Sequence, residues 1–166
     1  MLLWFAGMTF LVVVLVFDSP KLDYRIVMLG ALVPLIEVAI GGPWILHTLL
    51  APVVVLGAVM VLGRSRLAKR RWIGLPIGMF MYLVLDAAWA NEQLFLWPLF
   101  GVQVDDAHLP TSPPLGLAVA LEVAGFAALA WGWHRFGLSD PRRRELFWRT
   151  GNLDRDVMPG RSQPDC

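Results

Sequence analysis

The chain has little charge, one cysteine and few histidines. Only 16% of its 166 residues are Asp, Glu, Lys or Arg, against about 25% in soluble domains. The single cysteine, Cys166, excludes an internal disulfide and a cysteine-rich metal centre. Three histidines and no His-Glu-x-x-His pattern exclude a zincin-type site. Phosphate-cradling glycine patterns are missing, and so is the Gly-x-Ser-x-Gly elbow, which removes nucleotide hydrolysis and the usual serine hydrolases. Basic residues do not interleave with aromatics along a groove, so a nucleic-acid partner is not expected.

What the chain does have is apolar surface. Apolar residues make up 57% before glycine is counted, and mean hydropathy is +0.62. A chain this short leaves too much surface exposed to hide that fraction from water. The same composition excludes disorder. An integral membrane protein remains.

Five apolar stretches follow: Met1–Phe17, about Arg25–Ile40, about Trp44–Gly63, about Trp72–Ala90 shading into Leu94–Phe100, and about Leu115–Trp133. Each approaches the ~20 residues that cross a bilayer as a helix, the form that satisfies every backbone group in lipid. Asp18-Ser19-Pro20 and Gly41-Gly42-Pro43 end the first two, and Pro34 is expected to kink or tilt the second. Met1–Phe17 lacks a basic leader and a small-residue cleavage site, so it is expected to stay as a helix rather than leave as a signal peptide.

The net charge of +1 conceals a segregation. Basic residues fall at Lys21 and Arg25, at Arg64–Arg71, and from Arg135 onward. The connections at Gly41–Pro43 and Pro98–Pro114 carry none. With five crossings all basic segments share one face, which the positive-inside rule makes cytoplasmic. The expectation is an all-α protein of the bacterial cytoplasmic membrane, with its N-terminus outside and C-terminus inside. Residues 1–136 would form the five-helix domain and 137–166 a basic tail. Pro98–Pro114, with Asp105, Asp106 and His108, reads as an irregular outer loop. Trp44, Trp72, Trp97 and Trp133 fit an interfacial belt.

In the tail, Asp140-Pro141 reads as an N-cap and first helical residue, and Gly151 as a stop. The helix between them is either a positive-inside stop signal or an interfacial helix whose arginines rest on anionic lipids. Beyond Thr150 the chain is polar and expected to be disordered.

Ionisable side chains inside a membrane are costly and mark candidate sites. Glu37, His47, Asp86 and Glu122 come from four different stretches. Asp86 lies about 21 Å from the inner start of its helix, and Glu122 about 10 Å inside the outer start of its own. All four therefore fall in the outer half of the bilayer. They either converge on a cation or headgroup, for which Asp, Glu and His suit a divalent metal such as Zn or Mn, or pair with one another to fix packing. Tyr82 shares a helix face with Asp86, and Glu92 extends the polarity outward. Tyr82, Glu92 and Glu122 stand as supporting candidates, with ordinary packing an equal role for Tyr82.

Gly30-Ala-Leu-Val-Pro34-Leu35-Ile36-Glu37, His47-Thr48, Tyr82-Leu-Val-Leu-Asp86 and Leu96-Trp97-Pro98-Leu99 together resemble a known pattern. It belongs to small bacterial and archaeal inner-membrane proteins classed as metal-dependent hydrolases and related to the LexA-binding inner-membrane protein. The family carries Gly-x-x-x-Pro-Asp-x-Asp, then a His-Ser-like pair, then His-x-x-x-Asp and a Leu-Trp-Pro-Phe-like stretch. The likeness covers about residues 23–101, under half the chain. It implies a metal-dependent hydrolase-like fold with Glu37, His47 and Asp86 as metal ligands and catalytic groups. Its substrate would be a lipid or lipid-linked phosphoester. Leu35 and Tyr82 stand where the family has an acid and a histidine. Those two losses favour the alternative, a non-catalytic membrane subunit or assembly factor with a protein partner. A small transporter ranks third, since five helices show no internal repeat.

Overall fold

The structure, a computed structural model, describes residues 1–40, 45–90, 95–97 and 114–154. Among these residues every regular element is helical. In chain order they are α1 (Leu2–Phe17), α2 (Tyr24–Ile40), α3 (Leu50–Leu62), α4 (Arg66–Trp72), α5 (Gly74–Leu85), α6 (Leu115–Arg135) and α7 (Pro141–Thr150). Short 3₁₀ turns at Ile45–His47 and Ala88–Ala90 precede α3 and follow α5. The apolar stretches thus appear as helices. The loop 98–113, Glu92 and residues 155–166 lie outside the described residues.

Local chemistry sets several ends. The Ser65 hydroxyl accepts from the Ala68 amide at 3.1 Å and starts α4 inside the basic run. Pro76 has no amide hydrogen to give Trp72, so the ladder breaks between α4 and α5. At α7 the Asp140 carboxylate accepts from the Arg142 amide, Pro141 opens the helix and Gly151 closes it at φ 73°, as the sequence implied. Proline at position 34 is carried inside α2.

The helices pack in the order α6, α1, α2, α5, α3. The α2–α5 contact is the most extensive, followed by α1–α6 and α1–α2, while α3 rests on α5. Two of these contacts bring backbones together. A Cβ on Gly78 would stand 2.0 Å from the Val27 carbonyl oxygen, and one on Gly125 would stand 2.2 Å from that of Leu3. Small residues permit this approach, as in helix pairs built for lipid.

Two apolar clusters fill the interior. One joins Phe10, Val13, Val14, Tyr24 and Val27 to Phe136, Leu138 and Leu153 from the tail side. The other joins Phe5, Ala31, Tyr82, Leu83 and Ala88. The outer surface is apolar too: Val61, Leu62, Leu67, Leu115, Val123 and Phe126 are all exposed. Among the described residues one helix, α6, is both long and apolar enough to cross a membrane, and it is mostly exposed. Leu2–Phe17 and Leu50–Leu62 are apolar but shorter.

Residues just beyond α7 correct one expectation. Gly151 and Leu153 are buried rather than disordered. The Gly151 carbonyl accepts from the Tyr24 amide at 2.9 Å, which ties the tail to the start of α2.

Candidate functional site

Glu37 lies one turn before the end of α2, and His47 ends the 3₁₀ turn that leads toward α3. Glu37 Oε2 accepts from the Leu46 amide at 3.0 Å and lies 3.1 Å from His47 Nδ1. His47 Nε2 lies 3.1 Å from the Tyr82 hydroxyl of α5. Carboxylate, imidazole and phenol therefore form one continuous hydrogen-bonded chain across three segments. The His47 and Tyr82 residues are 1% and 2% exposed; the Glu37 side chain is 13% exposed.

The surroundings hold this arrangement in place. The His47 and Tyr82 rings meet edge-on, 5.3 Å apart between centroids. The Tyr82 ring packs on Phe5 of α1 at 4.3 Å. The Thr48 hydroxyl donates to the Ile45 carbonyl at 2.7 Å, which shapes the turn that carries His47. The Leu49 amide donates to the Phe95 carbonyl at 2.9 Å, so the segment after α5 buttresses the start of α3.

Asp86 terminates α5, with its amide donating to the Tyr82 carbonyl at 2.8 Å. Its carboxylate makes no hydrogen bond or ion pair among the described residues. The next residue, Ala87, adopts φ 55°, a left-handed conformation that costs a residue with a Cβ roughly 1–2 kcal/mol.

Glu122 goes elsewhere. Its carboxylate lies 2.7 Å from the Met1 amine and accepts from the Leu3 amide at 2.8 Å. Because α6 packs chiefly on α1, its acid meets the beginning of α1 rather than His47. Glu37, His47 and Tyr82 are thus brought together, and Glu122 is not among them.

The hydrogen bonds bear on a metal. A metal-bound imidazole uses one nitrogen for the ion and offers the other to a supporting acceptor. Here Glu37 and Tyr82 occupy both. Among the described residues no three His, Cys, Asp or Glu side chains are grouped to hold an ion. The donor set in this arrangement does not fit a metal. One hydrogen bond of His47 would have to open first.

A second polar centre, not anticipated from sequence, sits at the opposite end. The Asp23 side chain is 3% exposed. It faces Arg25 at 3.2 Å and Arg71 at 3.5 Å, and it accepts from the Ile26 amide at 3.4 Å. Arg25 continues to the Trp148 and Arg149 carbonyls at the end of α7. A cation on the last carbonyls of a helix satisfies orphan acceptors and the helix dipole. The available signal was an acid just before an apolar run and three residues ahead of Ile26, which is an N-cap pattern. The reach to the tail carries no local signature.

No protein-family model, no curated protein and no solved structure matches the chain.

Proposed function

We propose that the chain is a multi-pass protein of the bacterial cytoplasmic membrane, with five spans, an outer N-terminus and an inner C-terminus. On this reading it works as a non-catalytic membrane subunit or assembly factor, on a scaffold resembling the hydrolase-like family. The exposed apolar residues of α1, α3 and α6 support a lipid setting, because such surface is a liability in water. The 21 residues of α6 reach about 32 Å at 1.5 Å per residue. That matches the hydrocarbon thickness. Lys21, Arg25, Arg71 and the arginines of α7 share one end, which favours that end as cytoplasmic.

One observation carries the non-catalytic role: both ring nitrogens of His47 are consumed by protein partners within a buried chain. A carboxylate–imidazole–hydroxyl chain works as a general base only where its hydroxyl or imidazole can meet substrate or water, and here His47 and Tyr82 are 1% and 2% exposed. In the position of the family's histidine, Tyr82 instead closes the chain and joins α2, the turn before α3, and α5. The polar groups then specify one packing of the helices, the use to which interhelical hydrogen bonds are put in membranes.

A second reading requires His47 to give up one of its hydrogen bonds and turn toward the Asp86 carboxylate, which makes no hydrogen bond or ion pair among the described residues. There a divalent metal such as Zn or Mn sits between Glu37, His47 and Asp86 and serves hydrolysis of a lipid or lipid-linked phosphoester. Thermal unfolding of the full chain in mild detergent separates the two. The non-catalytic role predicts the same midpoint with Zn²⁺, with Mn²⁺ and with chelator. A midpoint raised by metal and insensitive to metal in His47→Gln would establish the second reading instead.

A further inference from the structure

A groove of about 520 Å³ opens at the tail end, lined by residues from the α1–α2 connection, α4 and α7 with the residues after it. Lys21, Arg70 and Arg71 contribute its cations, and Asp23 and Asp154 its acids. Both acids already face arginines outside the lining: Asp23 faces Arg25, and Asp154 lies 3.5 Å from Arg143. Arg71 meets Asp23 through Nε, so its terminal nitrogens remain for another acceptor. Lys21 and Arg70 make no ion pair or hydrogen bond among the described residues. The groove therefore gathers positive charge from two segments far apart in sequence, around a wall whose negative charge is spent.

Its rim is apolar. Leu67 and Leu146 line it and are exposed, and Pro20 and Leu153 add to the wall. A site for a small soluble anion gains nothing from exposed leucines beside its cations. A phospholipid suits both features, since its phosphate meets Lys and Arg while its glycerol and first acyl carbons lie on leucine.

We propose that this groove binds the phosphate of a net-anionic lipid headgroup, and that the bound lipid bridges α4 to the docked tail. Lys21, Arg70 and Arg71 donate to the phosphate oxygens. The lipid source rests on the topology proposed above; the phosphate chemistry rests on the groove alone.

Native mass spectrometry tests it on the full chain in mild detergent with equimolar phosphatidylglycerol and phosphatidylcholine. The wild type is expected to retain phosphatidylglycerol preferentially. The double variant Lys21→Gln, Arg70→Gln should retain it at least about tenfold more weakly. Arg142→Gln with Arg144→Gln, which removes equal charge from α7 outside the lining, should retain it as the wild type does. Equal losses from both pairs, or no preference in the wild type, would overturn the site. In lipid-free detergent, inorganic phosphate should leave the unfolding midpoint unchanged. A rise abolished by Lys21→Gln, Arg70→Gln would overturn the lipid source while keeping the phosphate. Labelling of Cys166 by a membrane-impermeant thiol reagent on intact cells reads the topology separately. Labelling there would overturn the inner-face assignment and with it the lipid of the inner leaflet.

Discussion

At the tail end a buried carboxylate, Asp23, is held by two arginines and an amide, and its partner Arg25 goes on to the last carbonyls of α7. At the other end a buried imidazole, His47, is held by one carboxylate and one phenol. The first centre brings full charges to a surface where Arg71 is 62% exposed. The second strings polar groups through the interior of the bundle, with His47 and Tyr82 both buried. The contrast follows from what each must join. The tail is polar and basic, and ionic contacts can dock it near water. The helices around His47 are apolar on their outer faces, so hydrogen bonds that share a proton between neighbours cost less than a separated ion pair there. Buried polarity at the tail end fixes an appendage, whereas at the His47 end it fixes the bundle.

Each end can be broken separately. Asp23→Ala removes the acceptor shared by Arg25, Arg71 and the Ile26 amide and is expected to have the largest effect, about 2–3 kcal/mol of stability. It should also release the tail, seen as faster tryptic cleavage within Arg142–Arg149. A variant whose tail stays protected would detach the ion pairs from the docking. Tyr82→Phe keeps the ring on Phe5 and removes only the hydroxyl. It leaves a buried nitrogen of His47 without its partner, for an expected loss of about 1–2 kcal/mol. Combined with Glu37→Gln in a double-mutant cycle, it should show coupling of at least about 0.5 kcal/mol, because the two groups share one imidazole. Additive losses would mean that the chain is two separate contacts.

Smaller changes sharpen the comparison from the other side. Ala87→Gly relieves the left-handed residue after Asp86 and should stabilise by roughly 1 kcal/mol in thermal unfolding. A loss instead would show that the Ala87 methyl packs in a way that outweighs its strain. Thr9 belongs to neither centre; its buried hydroxyl has no partner among the described residues. Thr9→Val should therefore be neutral or stabilise by up to about 1 kcal/mol. A clear loss there would reveal an acceptor for that hydroxyl.

Much of the helical framework was legible because it rests on local signals. Apolar runs, Asp140-Pro141 and Gly151 each act within a turn or two of sequence. In the basic run before Trp72, Ser65 with Leu and Ala among strong helix formers is a local signal for α4. Depth arithmetic placed Glu37 and His47 together because their helix ends are joined by a short connection. It grouped Glu122 with them, since depth carries no information on which neighbour a helix faces. The packing of α6 on α1 decided that point. Tyr82 was identified as a supporting residue through its spacing from Asp86, yet its direct bond to His47 depends on α5 lying against α2. Docking of Gly151 and Leu153 depends on contacts more than a hundred residues apart and leaves no trace in local pattern.

The central claim is that His47 is a structural link with both nitrogens engaged by protein partners. Selective ¹⁵N labelling of histidine in the full chain, in detergent, tests it most directly. Both His47 nitrogens are expected to show the shifts of hydrogen-bonded positions. Tyr82→Phe should shift the Nε2 signal, and Zn²⁺ or Mn²⁺ should leave both signals in place. A nitrogen signal that moves or broadens on adding metal to the wild type, and stays put in Glu37→Gln, would contradict it.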